Sequence, residues 1–522
     1  MNRWVTKDVI PTFNPASPRS PGGQTQFNFM NKRFLLSGMF LLCILFYSQA
    51  QKISATYTPS SFSGPFTGKV ILYLSKEIRE PRNCVNNVPP FCCYAIDVKD
   101  IKPNTPVVFD DAAVFFPAKL SDIERGNYYA QVVWDRNTGG RNIGASPDNM
   151  YNKSVQLNFT KNFKKQFFIK CDSVVQHETF TELPFMKNMV VHSDLLTSFY
   201  KRETTVNGAV NLPADYYTDS TRKFPVVFVI LGFGGDYYWN SGDSIQSWNI
   251  DTFSCIHVFL DGNCSSGHST YANSVNTGPW GDAFVKEFIP AVEKRFRCNG
   301  ARFVTGHSSG GWASLWLQVN YPKSFTACWA SSPDPVDFEC LEMINIYKDK
   351  NMFYDNDSNL RVDGAVAGAA WLPWLFFKAD YRIENVLYRG EQYRSWNAVW
   401  GGIQENGKPE EICNMETGEI DSVVASHWKK YDISYILRNN WKTLQPDLDG
   451  KIRITAGKND NFQLDKAVMM LEGEMSVLHA NITFVYYPGD HFSVFTDDYL
   501  NDGDHFFAVK YAEWLKVHPE AK

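Results

Sequence analysis

The feature that most constrains this chain is a short strand-like run, Ala301-Arg302-Phe303-Val304-Thr305, that passes directly into Gly306-His307-Ser308-Ser309-Gly310-Gly311. A helix-like stretch from Trp312 to Asn320 follows at once, and Tyr321-Pro322 ends it. A strand that must turn straight into a helix needs glycines where side chains would clash, and it holds the serine between them in a strained backbone conformation. The Ser308 hydroxyl is then expected to project above the end of a sheet. The N-terminal amides and positive dipole end of the following helix point at the same place, where negative charge would develop. Spacing alone would fit an ordinary glycine-rich turn; the strand before and the helix after give the pattern chemical meaning.

The surroundings of this turn predict an α/β region. After about residue 184, apolar runs at 224–231, 255–261, 301–305, 451–457 and 482–487 alternate with helical patterns such as 282–296, the signature of a mainly parallel sheet. The stretch 339–448 interrupts that rhythm. It is rich in aromatics, among them Trp374, Tyr393, Trp396 and Trp400, and reads as an insertion roofing the top of the sheet. Upstream, 51–190 shows short strand patterns at 69–74, 106–109, 128–134 and 154–159 with turn residues between them, which predicts an antiparallel sandwich domain. Tyr128, Tyr129 and Trp134 there are candidates for stacking on a sugar, although alternation sends about half of such residues to the core.

Charge narrows the partners. The 522 residues carry 51 Lys+Arg against 56 Asp+Glu, so no basic surface for nucleic acid is expected, and 15% aromatic residues argue against a disordered chain. Met30-Asn31-Lys32-Arg33, the apolar run 34–47 and Ser48-Gln49-Ala50 read as a signal peptide at 30–50, with 1–29 an unused upstream start or flexible leader. The apolar run is shorter than the ~20 residues a membrane span needs, so a secreted or periplasmic product without stable membrane insertion is expected. Export permits disulfides, and Cys84, Cys92 and Cys93, or Cys255, Cys264 and Cys298, are near enough in sequence to staple loops. Neither a Cys/His spacing suited to a metal nor a phosphate-cradling glycine pattern occurs, so no metal and no cofactor are expected.

A serine hydroxyl becomes a nucleophile only when a base takes its proton. Among 10 His, His491 in Pro488-Gly489-Asp490-His491-Phe492 follows the last long strand and is the candidate base; His427, in the insertion, and His505, in a terminal helix, read as surface residues. The orienting acid is expected in the loop after the penultimate strand, as Asp460, with Asp465 the alternative and Asp490 a turn residue. The Ser309 amide and an amide of Gly232-Phe233-Gly234-Gly235, taken as that of Phe233, are the candidate oxyanion donors. Trp280 and His268, both in loops, are candidate substrate contacts.

These pieces together resemble the putative esterase family, which includes esterase D, enterochelin esterase, feruloyl esterases and mycolyltransferase antigens. The resemblance covers about 190–515 and rests on Gly232-Phe233-Gly234-Gly235, Asn276-Thr277-Gly278-Pro279-Trp280-Gly281, Glu287-Phe288-Ile289-Pro290, the Ser308 turn and the His491 loop. It implies an α/β-hydrolase sheet with flanking helices at 191–522, preceded by the all-β domain, and a nucleophile, acid and histidine at Ser308, Asp460 and His491. Leu231 stands where many relatives have histidine, and the insertion is not part of the minimal family domain. The expected activity is hydrolysis of carboxylic esters, feruloyl or acetyl groups on polysaccharide or a siderophore-type ester. Acyl transfer by the same chemistry and a non-catalytic glycan-binding relic are the alternatives, and the intact set of three reactive positions argues against the relic.

Overall fold

The computed structural model describes residues 52–83, 92–160, 166–240, 249–366 and 372–521. The expected leader and signal segment, 1–50, and Cys84 lie outside the described residues.

Up to about residue 174 the described chain is mostly strands and turns. Lys52–Tyr57 pairs antiparallel with Val107–Phe109 and parallel with Gln166–Cys171, forming a three-stranded sheet. A larger antiparallel sheet runs in the order Ser173–Val174, Met150–Tyr151, Gly126–Asp135, Phe66–Ser75, Cys92–Ile101, Val114–Phe116, with Val155–Phe159 also paired to Gly126–Asp135. Ile53, Ala55 and Tyr57 of the first sheet share a core with Val70, Leu72, Leu74, Val132 and Trp134 of the second. Tyr128 and Trp134 are buried in that core, the indole edge-on to Tyr57 at 4.8 Å between ring centroids, so neither faces a sugar.

The strand Phe66–Ser75 is buried on both faces. Ile71 and Tyr73 point away from the shared core and pack with Ile383, Val386 and Leu387 of the insertion. Double burial explains why Val70-Ile71-Leu72-Tyr73-Leu74 is a continuous apolar run and not an alternating one. The all-β segment and the α/β region form one compact unit, Gln49–Lys522.

The α/β region is built on eight strands: β1 (Met186–His192), β2 (Thr205–Asn211), β3 (Phe224–Ile230), β4 (Ile256–Leu260), β5 (Cys298–His307), β6 (Ala327–Ser331), β7 (Ile452–Gly457) and β8 (Thr483–Tyr487). Their order is β1-β2-β4-β3-β5-β6-β7-β8; β1 and β2 pair antiparallel, as do β2 and β4, and every later pairing is parallel. This is the α/β-hydrolase arrangement. The central strands are apolar almost throughout because helices cover both faces of a parallel sheet. Its first strand begins at Met186, slightly ahead of the boundary expected at 190.

The helices that matter for the site are α1 (Ser309–Asn320), α2 (Phe377–Leu387), α3 (Gln392–Trp400), α4 (Ile433–Leu448), α5 (Leu464–Val477) and α6 (Asp497–Val517). The single helix expected over 282–296 is instead α-helical at Trp280–Ala283, a π turn at Phe284–Phe288 and α-helical again at Ile289–Arg295. Pro290 has no N–H to give to the preceding turn, and the wider π turn takes up the break.

The insertion fills the stretch between β6 and β7. Its Trp400 lies 5.4 Å from Trp312 of α1 and 4.7 Å from Phe338, and Tyr431 lies 5.4 Å from Trp316, so much of its aromatic content is core. Packing has also taken carboxyls out of water. Burial pushes Glu384 up to about 8 and Glu391 to about 7, and Asp261 after β4 to about 7. In the unfolded chain such groups ionise near about pH 4. From roughly pH 5 to 8 the folded state therefore holds protons that the unfolded state has already released, so stability falls as pH rises through this range and levels off above it. The expected result is a urea midpoint that drops steadily over this range; a flat or rising midpoint would mean that these carboxyls do not hold protons in the native protein.

Candidate active site

Ser308 sits between β5 and α1 at φ 59° and ψ −126°, a conformation that costs an L residue about 1–3 kcal/mol. The glycines around it are where the chain comes too close for side chains. A Cβ at Gly310 would lie 2.0 Å from the Ile230 carbonyl oxygen at the end of β3, and one at Gly306 would lie 2.4 Å from the Gly310 carbonyl. Gly310→Ala must therefore push the turn away from β3. A loss of about 3 kcal/mol in unfolding free energy is expected by urea titration, and an unchanged midpoint would show that the turn can relax.

The turn leaves the Ser309 amide in the first turn of α1, where no intrahelical acceptor exists. The Phe233 amide lies in the loop after β3, and neither amide reaches a protein acceptor among the described residues. Gly232 abuts the Ser308 turn: a Cβ there would be 2.9 Å from the His307 carbonyl oxygen and 3.3 Å from Ser308 Cβ.

His491 lies in the loop after β8, and Asp460 in the loop after β7. The His491 Nδ1 meets Asp460 Oδ2 at 2.8 Å, with both side chains almost completely buried. Asp460 Oδ1 accepts the Phe462 and Leu464 amides at 3.0 and 3.4 Å, and Asn461 Oδ1 accepts the His491 amide at 3.1 Å. Phe462 and Phe492 lie edge-on to the imidazole at 5.1 and 5.2 Å between centroids, and His307 is 4.4 Å away on another side. His307 itself bonds Ser331 Oγ at 2.7 Å, and burial holds it well below the ordinary histidine range.

The family model described as Putative esterase matches residues 200–507, more than half of the chain. The chain belongs to the putative esterase family. It is an ester-hydrolysing enzyme. Solved structures similar to this esterase include FphF, a fluorophosphonate-binding serine hydrolase of Staphylococcus aureus, at 14% identity and TM-score 0.38, covering 62% of this chain and 97% of that one. An S-formylglutathione hydrolase from Agrobacterium tumefaciens is 15% identical with TM-score 0.37, covering 63% and 97%, and Porphyromonas gingivalis dipeptidyl peptidase 4 is 13% identical with TM-score 0.36, covering 84% and 48%. No curated protein matches the sequence.

One residue of the candidate site escaped the sequence reading. Asp334, just after β6, accepts Ser308 Oγ at 3.4 Å, Ser309 Oγ at 2.6 Å, Gln392 Nε2 at 3.1 Å and Trp396 Nε1 at 3.2 Å. Burial raises its carboxyl above the usual range despite these donors. In this structure the Ser308 hydroxyl therefore faces Asp334, and no Ser308–His491 hydrogen bond forms among the described residues. The available signal was position: Ser332-Pro333-Asp334 is a polar stretch directly after an apolar run.

The two candidate substrate contacts behave differently from expectation. His268 is buried, with Nε2 donating to the Leu231 carbonyl at 3.0 Å and Nδ1 accepting the Thr270 amide at 3.0 Å. Burial lowers it to about 4, so a neutral imidazole braces the start of the loop that carries Phe233, and no nitrogen is left for substrate. Trp280 is also buried, its Nε1 donating to the Thr277 carbonyl at 2.8 Å, and it packs its own loop. Asp465 pairs with Lys466 at 2.7 Å in the first turn of α5, away from His491's bond, and Asp490 caps its own turn through Ser493. His427 and His505 are partly exposed, beside Glu410 and Asp251. Among the described residues Cys92, Cys93, Cys264 and Cys298 are free thiols, so the expected loop staples do not form between them.

Proposed function

We propose that this protein is a secreted serine esterase with Ser308 as nucleophile, His491 as general base and acid, and Asp460 as the orienting acid. The observation that carries the reading is the buried 2.8 Å His491–Asp460 pair beside a serine held at φ 59° on the strand-to-helix turn. Asp460 keeps the proton on Nδ1, which leaves Nε2 free to accept one. The Ser308 hydroxyl turns from Asp334 to Nε2, gives up its proton and attacks the ester carbonyl. The resulting oxyanion is met by the Phe233 and Ser309 amides at the positive end of α1. His491 then protonates the departing alcohol, and a water activated by the same imidazole releases the acid from Ser308.

Feruloyl or acetyl groups on polysaccharide suit this reading best, since an exported chain meets such esters outside the cell and the two-sheet segment, read as a sandwich, lies against the esterase region. The test is a fluorophosphonate probe together with turnover of p-nitrophenyl acetate and methyl ferulate by the purified chain. Stoichiometric labelling of the peptide containing Ser308, with label and turnover lost together, is expected. Turnover that persists in the fully labelled protein would overturn the assignment.

A further inference from the structure

The strand Gly126–Asp135 ends at a carboxylate that is tied to the insertion. Asp135 receives Arg389 Nε at 2.6 Å and Nη2 at 2.5 Å, a two-pronged pair buried on both sides. Arg389 also donates through Nη1 to the carbonyls of Gly140 and Ser265, at 2.6 and 3.1 Å. This fixes the loop after Asp135 against the corner between α2 and α3, the same corner from which Gln392 and Trp396 reach Asp334. Gly390, at that corner, can take no side chain: its Cβ would stand 2.1 Å from the Arg141 carbonyl oxygen.

Arg141 is the residue this clamp holds in place. Its Nη1 donates to the Gly390 carbonyl at 2.8 Å, and its guanidinium lies over the Phe233 ring at 4.4 Å from the centroid. Its side chain runs along the loop itself, because a Cβ at Gly234 would be 3.7 Å from Nη2. Arg141 is only 7% exposed. Burying a cation is expensive, and an apolar side chain would fill the same space at lower cost. What a guanidinium adds is a flat cation stacked on an aromatic face, with directional N–H groups that fix its plane.

We propose that Arg141, carried by the all-β segment, is a positioning residue for the oxyanion loop: stacked on Phe233 and anchored to Gly390, it holds the Phe233 peptide where its amide meets the developing oxyanion. The inference rests on the reading of Phe233 as an oxyanion donor. It assigns the all-β segment a part in catalysis, since the esterase region alone would lack this support.

The test is Arg141→Ala in the full chain, assayed on p-nitrophenyl acetate beside Ser308→Ala. The expected result is a kcat lower by about ten- to a hundredfold with KM nearly unchanged, since a small displacement of one donor weakens the transition state and not the ground state. Millimolar guanidinium is expected to restore part of the lost kcat, and Arg141→Lys is expected to stay low because an ammonium lacks the flat stacking face. Phe233→Leu keeps the amide and removes the stack; it should lose a similar factor, and the double variant should lose little more than either alone. Unchanged kcat in a folded Arg141→Ala, or losses that multiply in the double variant, would overturn the proposal. If Arg141→Ala does not fold, Phe233→Leu decides: a parental kcat overturns it, a lowered kcat with parental KM supports it. Turnover surviving in Ser308→Ala would bring down the site assignment itself, whereas its loss there with retention in Arg141→Ala would remove only this inference.

Discussion

Replacing Ser308 by Ala is expected to lower kcat on p-nitrophenyl acetate by about 10⁶-fold, the scale seen when a nucleophile that works as part of a unit is removed. The remaining rate over water would come from the unoccupied oxyanion amides and from substrate binding. Folding should survive the change. The Ser308 hydroxyl makes one long bond, 3.4 Å to Asp334, and Asp334 keeps Ser309, Gln392 and Trp396 as donors when it is gone. A kcat within tenfold of the parent, measured on protein purified away from contaminating esterases, would exclude Ser308 as nucleophile.

Asp460→Asn is expected to lower kcat by about 10⁴-fold near neutral pH while KM changes little. The carboxylate accepts from His491 Nδ1, whereas an amide can turn its NH₂ toward that nitrogen and favour the tautomer with the proton on Nε2. An imidazole in that form cannot take the Ser308 proton. The amides of Phe462 and Leu464 can still donate to the remaining oxygen, so the loop after β7 is kept and the loss is chemical. Asp465→Asn is the companion variant, because its partner is Lys466; it should leave kcat near the parental value. If Asp465→Asn were the crippled variant and Asp460→Asn the active one, the acid would have been misassigned.

The parts of the site legible in the sequence were those governed by local sterics. The order strand, Gly-x-Ser-x-Gly, helix is a statement about adjacent residues, and the close approach of Gly310 to Ile230 shows why it must be read that way. His491 and Asp460 could be expected to meet because a parallel strand delivers the residue that follows it to the same edge of the sheet, and their side chains lie 2.8 Å apart. His268 was misread because its neighbours in sequence are polar, whereas its neighbours in space are Leu231 and a tightly packed Gly262. The π turn at Phe284–Phe288 was hidden because the apolar spacing of 282–296 looks the same for a continuous helix.

What the sequence by itself determined is the apolar strands β3, β4, β5, β7 and β8 and the tight glycine turn at Ser308, because hydrophobic period, glycine and proline act over a few residues; β1, β2 and β6 were not read from it. The tertiary structure alone decided which distant groups meet. Asp334 reaches Ser308 because β6 is hydrogen-bonded beside β5, so the residues following both strands emerge side by side. Arg141 reaches Phe233, and Ile71 reaches Val386, because the insertion closes over the all-β sheet. Such contacts depend on how whole elements bury their apolar faces together, and that balance is struck by the folded chain as a unit.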